Sequence, residues 1–281
     1  TVTLVEGTTS YISKNTVLSV GGGIYIANDG TILDITGSKT HLIVEGNTAE
    51  KGGGLAAYSS SVIDLSSGGR LDVVNNVAND GAGLRFSGSG TRFGVSGNGT
   101  QLIIAGNKAL INGGGVLAKD SAVITMSFGA RVDVINNEAS TGNGGGVYLK
   151  NDGTVLDISG RGTQVVLNGN TAASSGGGLF AYGGRIVVSL SSGAHLDVIN
   201  NECAVLGGGF YLSYSARLDV YGKDTCLKVG HNKAQQDGGG VISIGATVSV
   251  LLGARFDIHN NHALKFAGGA FYNGATIILS G

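Results

Sequence analysis

The chain of 281 residues has no proline, only two cysteines, and charged residues at just 13%, with a net charge of −1. Each shortage removes a class of protein. Fifty-two glycines without proline do not make a collagen, which needs proline and a three-residue period. Cys203 and Cys226 are too few for a disulfide scaffold, so they leave the redox compartment open. So small and balanced a charge argues against nucleic acid or a polybasic membrane contact as partner. No apolar run approaches the ~18 residues of a membrane-crossing helix, and no membrane span is expected. The opening Thr1-Val2-Thr3-Leu4-Val5-Glu6 lacks an initiator methionine and the pattern of a signal peptide, which suggests a mature chain or an excised piece. Disordered linkers are excluded as well, because 42% of residues are hydrophobic and they recur periodically.

What the chain does have is a repeat. Val134-Ile135-Asn136-Asn137-Glu138-Ala139, followed by Gly144-Gly145-Gly146-Val147-Tyr148-Leu149, recurs from one end to the other. Its asparagine falls at Asn15, Asn47, Asn76, Asn107, Asn137, Asn170, Asn201, Asn232 and Asn261. Glycine blocks open at Gly21, Gly52, Gly81, Gly113, Gly144, Gly176, Gly207, Gly238 and Gly268. Gly52 to Gly81 is 29 residues and Gly81 to Gly113 is 32, a period that marks a solenoid. The pattern is unbroken, so residues 1–281 are read as one continuous domain.

One turn shows how the repeat folds. Val147 and Leu149 alternate with polar or aromatic neighbours, Leu156 and Ile158 flank Asp157, and Val165 and Leu167 form a third alternating run. Asp152-Gly153 and Gly160-Arg161-Gly162 punctuate them as turns. The expectation is an all-β, single-stranded, right-handed parallel β-helix of about nine turns of ~31 residues, with three strands per turn. Inward columns of like residues, such as Leu42, Leu71, Leu102 and Val132, would fill a narrow core. Stacked asparagines at strand spacing can pass amide hydrogen bonds from turn to turn, so the asparagine column is expected to be a buried ladder. Glycosylation does not explain that column, because the one Asn-x-Ser/Thr sequon is Asn98-Gly99-Thr100, making Asn98 the candidate N-glycosylation site. A second period spans two turns. Asn75-Asn76, Asn136-Asn137, Asn200-Asn201 and Asn260-Asn261 alternate with Gly46-Asn47, Gly106-Asn107, Gly169-Asn170 and His231-Asn232, while Asp72, Asp133, Asp197 and Asp257 alternate with Ile43, Ile103, Val166 and Lys228.

An aliphatic residue ahead of an asparagine pair, a small residue, and then a block such as Gly268-Gly269-Ala270-Phe271 resembles the repeat of the chlamydial polymorphic outer-membrane proteins. The resemblance covers the whole chain, although an aliphatic residue, as at Val134, stands where that family has phenylalanine. It implies an autotransporter-type β-helical passenger displayed on a cell surface and acting in adhesion.

Chemistry is sparse. Outward acids at Asp34, Asp64, Asp157 and Asp219 are interrupted by Gly94, Thr125, Ser189 and Ser249, and no insertion is long enough to wall a cleft. No catalytic residue, metal ligand or cofactor is expected, and the metal-site and nucleotide motifs are absent. More suggestive is the outward column of the first strands, where Tyr25, Tyr148, Phe180, Tyr211 and Tyr272 would form an aromatic interaction stripe. The functional expectation is a structural or adhesive extracellular or cell-surface rod that assembles head-to-tail with copies of itself or contacts other surface proteins. A glycan-binding module using the stripe is the alternative, and a polysaccharide lyase or hydrolase the more distant one. Both ends are expected to lack polar caps, the chain beginning within a third strand.

Overall fold

The computed structural model describes residues 1–280 and contains no helix among them. It is a parallel β-solenoid. Each strand pairs with its counterparts one turn before and after, except at the two ends of each sheet, giving parallel sheets of ten, nine, nine and seven strands. One turn comprises Val147–Lys150, Val155–Ser159, Gln164–Asn168 and the two-residue Thr171–Ala172. The expected three strands per turn are therefore joined by a short fourth ladder, which includes the alanine column Ala139, Ala172, Cys203 and Ala234. These four side chains form a small buried cluster of their own, apart from the main core.

Like stacks on like because the pairing is in register. Val116, Val147 and Leu179 align in the first sheet, Ile124, Leu156 and Val188 in the second, and Val132, Val165 and Leu196 in the third. All nine are between 0 and 4% exposed. Burial on this scale, at ~25 cal/mol per Å² of apolar surface, is the principal stabilising contribution.

The two-turn period has three physical causes, all at corners or on outer faces. The first is a hydrogen bond between unequal corners. Gly68, Gly129 and Gly193 lie in short corners, and their N–H groups donate to Thr100 Oγ1, Thr163 Oγ1 and Thr225 Oγ1 of the following longer corners at 2.9–3.0 Å. Each threonine hydroxyl donates in turn to the carbonyl four residues earlier. The second is steric. A Cβ on Gly106 would lie 2.5 Å from Asn75 Oδ1, and one on Gly169 would strike Asn136 Oδ1. At these two pairs asparagine on one turn requires glycine on the next, whereas His231 follows Asn200. The third is electrostatic: Ile103 separates Asp72 from Asp133, and Val166 separates Asp133 from Asp197. Alternation doubles the distance between carboxylates from one strand spacing to two, about 10 Å, where salt screens them.

Two assignments need correction. Val2–Leu4 pairs with Leu33–Ile35, so the chain opens in the second-strand sheet rather than within a third strand. Three residues are too few to display an alternation that could have placed it. In the last turn Ala267, at φ 49°, takes the place of the positive-φ glycine that opens the other blocks. Aligning by glycines alone therefore shifts the register by one. Ala270 pairs with Val241 and Phe271 with Ile242, so Phe271 is outward, and Tyr272 points inward against the core.

Candidate functional site

All nine asparagines form one ladder. Asn137 Nδ2 donates to Asn170 Oδ1 at 3.0 Å and to the Ile104 carbonyl at 2.9 Å. Asn137 Oδ1 accepts from the Asn107 backbone N–H at 3.0 Å and from Asn107 Nδ2 at 2.9 Å. Two donors and two acceptor sites are thus all satisfied, which is what allows an amide to sit fully buried. The same bonds repeat through Asn47, Asn76, Asn107, Asn170, Asn201 and Asn232, all at 0% exposure. Asn15 contributes its donors to Asn47 at one end, and Asn261 its acceptor to Asn232 at the other. The ladder ties the corner after the third strand to the next coil. It is a structural spine with no free group for chemistry.

The aromatic stripe is placed differently from its expectation. Tyr25, at the first coil, is 56% exposed, but Tyr148 and Phe180 are each 6% exposed and Tyr211 is half-buried. Tyr148 and Phe180 stack at 5.2 Å between centroids and 3° between planes, and Phe180 and Tyr211 at 4.7 Å and 8°. The cause of their burial is the glycine block. At Gly144, φ +66° turns the chain back so sharply that a Cβ there would lie 2.8 Å from Tyr148 Cβ. The column is the floor of a crevice and its ring faces are taken by one another. With Tyr272 inward and Phe271 in its place, the stripe is chiefly a cross-strand stack that stabilises its sheet. Burial, reinforced by Asp80 and Tyr182, pushes the Tyr148 phenol up to about 12.

The outward acids do not converge. Asp34 and Asp64 are neighbours in register, and burial followed by the Asp34 charge raises the Asp64 carboxyl above its usual range. The next member is Gly94, whose missing side chain leaves room for the Asp64 carboxylate. Ser189 donates to Asp157. On the neighbouring face, Arg70, Arg131 and Arg255 pair with Asp72, Asp133 and Asp257 two residues along the same strand. Such surface pairs contribute little, about 0–1 kcal/mol each. His259 meets His231 edge-on at 5.3 Å, whereas His262 lies in the short fourth ladder. Among the described residues no group of three histidine, cysteine or acidic side chains is gathered for a metal ion.

Asn98 is exposed at a corner, but Thr100 of its sequon is fully buried, its hydroxyl committed to Ser96 and Gly68. Glycan attachment there would have to precede folding. Cys203 and Cys226 are both free thiols, the first in the buried fourth ladder and the second half-buried in the third sheet. Burial pushes the Cys203 thiol up to about 11 against the pull of nearby backbone N–H groups, and burial also raises Cys226. Because the thiolate is the nucleophile, iodoacetamide at pH 8 is expected to modify Cys226 first and Cys203 only after denaturation. Intact-mass spectrometry should show one adduct on the native chain and two on the unfolded one, with no internal disulfide. Two adducts forming at equal rates on the native chain would contradict the assignment.

No family model and no curated protein matches the chain. Among solved structures, the TibC-catalyzed hyper-glycosylated TibA55-350 fragment is 18% identical, with 98% of each chain covered and a TM-score of 0.20. That likeness is too low to bear on the function of this protein. The β-solenoid that the chlamydial resemblance implied is present, while membership of that family finds no support in the comparisons.

Proposed function

We propose that the chain is a rigid, non-enzymatic rod, structural or adhesive in role, within an extracellular or cell-surface fibre or stalk. The observation that supports this most is continuity: a single core and a single asparagine ladder run through every coil without interruption. Bending such a body would break in-register pairing in three sheets at once, so stiffness follows from the topology. Nine coils at ~4.8 Å give a rod of roughly 43 Å. Connections are too short to wall a catalytic cleft; the longest, residues 14–23, itself carries bridges at Thr16 and Val20. The glycan-module alternative loses its platform, because the rings of Tyr148 and Phe180 already cover each other.

The partners we propose lie on the axis. The first coils open onto a recess lined by Leu4, Ile12 and Ile24, and Leu279 in the last coil is 71% exposed. A further coil would cover both surfaces, whether it is covalent continuation or a second copy stacked head-to-tail. Immunogold labelling of intact source cells with antibody to the chain should mark the outer surface or its fibres. Label confined to the cell interior would overturn the proposal.

A further inference from the structure

The crevice beside the first-strand sheet holds one charge on its floor, Arg85, between Ala56 and Leu117. Arg85 is only 6% exposed. Its Nε donates to the Tyr58 hydroxyl at 2.6 Å and its Cζ lies 5.9 Å from the centre of the Tyr58 ring. Among the described residues no carboxylate lies within ion-pair distance of it, and its terminal nitrogens donate no hydrogen bond. Arginines so removed from water are ordinarily paired. Arg85 lines a recess of about 130 Å³. Asp80 and Asn112 enter it from the segment before the glycine block, Lys119 and Lys150 from the far ends of the first strands, with Leu117 and Tyr148 on the floor.

The charges in this recess do not balance. Lys119 is held by Asp120 at 2.9 Å, whereas Lys150 has no carboxylate partner. Asp80 accepts a hydrogen bond from Asn112 at 3.2 Å and is the one acid of the lining. Arg85 and Lys150 together therefore favour an anion. Their spacing restricts which anion. Arg85 aligns with Leu117 and Leu117 with Tyr148, so Lys150 is two coils away, about 10 Å along the rod. A hydroxylated ring bearing a carboxylate matches such a spread, because its charge and its hydroxyls lie several ångströms apart. We infer that this recess binds a single acidic sugar of the hexuronate class. Its carboxylate sits on the Arg85 guanidinium, and its hydroxyls donate to Asp80 and accept from Lys150 and Asn112. The site is independent of the rod reading, which stands whether or not a sugar binds.

Ligand-observed NMR on the full chain would test this with glucuronate and galacturonate, using glucose and inorganic sulfate as controls. Saturation transfer to at least one uronate is expected, with a Kd of millimolar order and none to glucose. Arg85→Gln should weaken binding by about tenfold or more. Lys150→Gln, on the half-buried rim, should weaken it less and leave thermal unfolding unchanged, so a loss of binding cannot be mistaken for misfolding. Absence of transfer to both uronates, or undiminished binding in both variants, would overturn the inference. Sulfate binding as tightly as a uronate would also overturn it, reducing the recess to a simple anion contact.

Discussion

Asn137→Ala is expected to lower stability by about 2–5 kcal/mol, because it leaves one buried N–H without a partner, at ~1–3 kcal/mol, and takes a bond from each of two further groups. The Asn107 backbone N–H loses its acceptor, Asn137 Oδ1; Asn107 Nδ2 loses the same acceptor but keeps the Val73 carbonyl, and the Ile104 carbonyl loses the Asn137 Nδ2 donor. Asn170 Oδ1 keeps one bond, from the backbone of residue 137. Removing a single isolated hydrogen bond would cost far less; the shared acceptor is what multiplies the loss. Asn15→Ala removes only the end rung, at an exposed position, and is expected to cost about 1 kcal/mol or less. Urea melts of both variants by circular dichroism would measure the difference. Equal losses would mean that the ladder is not cooperative with the core.

The second large effect belongs to Gly146→Ala, expected to destabilise by about 3 kcal/mol or more, the upper range of overpacking. Gly146 has no positive φ, so conformational freedom is not the reason for glycine there. A Cβ at this position would lie 2.6 Å from the Gly178 carbonyl oxygen and 3.0 Å from Asn170 Nδ2. That carbonyl accepts the Val147 N–H at 2.9 Å, and Asn170 is a rung of the ladder. Neither can yield without breaking a bond between coils. Gly30→Ala is the control, since a Cβ there meets nothing within 4 Å and the cost is confined to φ +74°, about 1–2 kcal/mol. Thermal melts that rank Gly30→Ala at or above Gly146→Ala would show that backbone freedom, not space, selects the glycine blocks.

These two predictions divide the roles of glycine in a way the repeat alone does not. In Gly144-Gly145-Gly146 the first residue makes the bend and the other two make room for the next coil. Counting glycines treats them as equivalent, which is why the last block was misaligned. There Ala267 accepts the left-handed conformation, Ala82 fills the middle place of the third block, and only the third place is glycine in every block. A position that needs only a positive φ tolerates alanine at modest cost, but the third place, packed on the next coil's carbonyl and ladder amide, does not.

The sequence by itself determined the solenoid, the inward columns and the ladder. Each of these follows from local alternation multiplied by an in-register period, and both are properties of residue order. Leu71, Leu102 and Val132 must share a face once their strands share a register, and asparagines repeating with them must meet. Only the tertiary structure decided what the outer faces are for. Alternation shows that Tyr148 and Phe180 point away from the core, but not that the glycine bend folds the backbone over them. It likewise names Arg85 without revealing that it lies buried, without an acid, on the floor of a recess drawn from three coils. Direction along a strand is set by the pleat, whereas exposure depends on whatever the rest of the chain brings alongside.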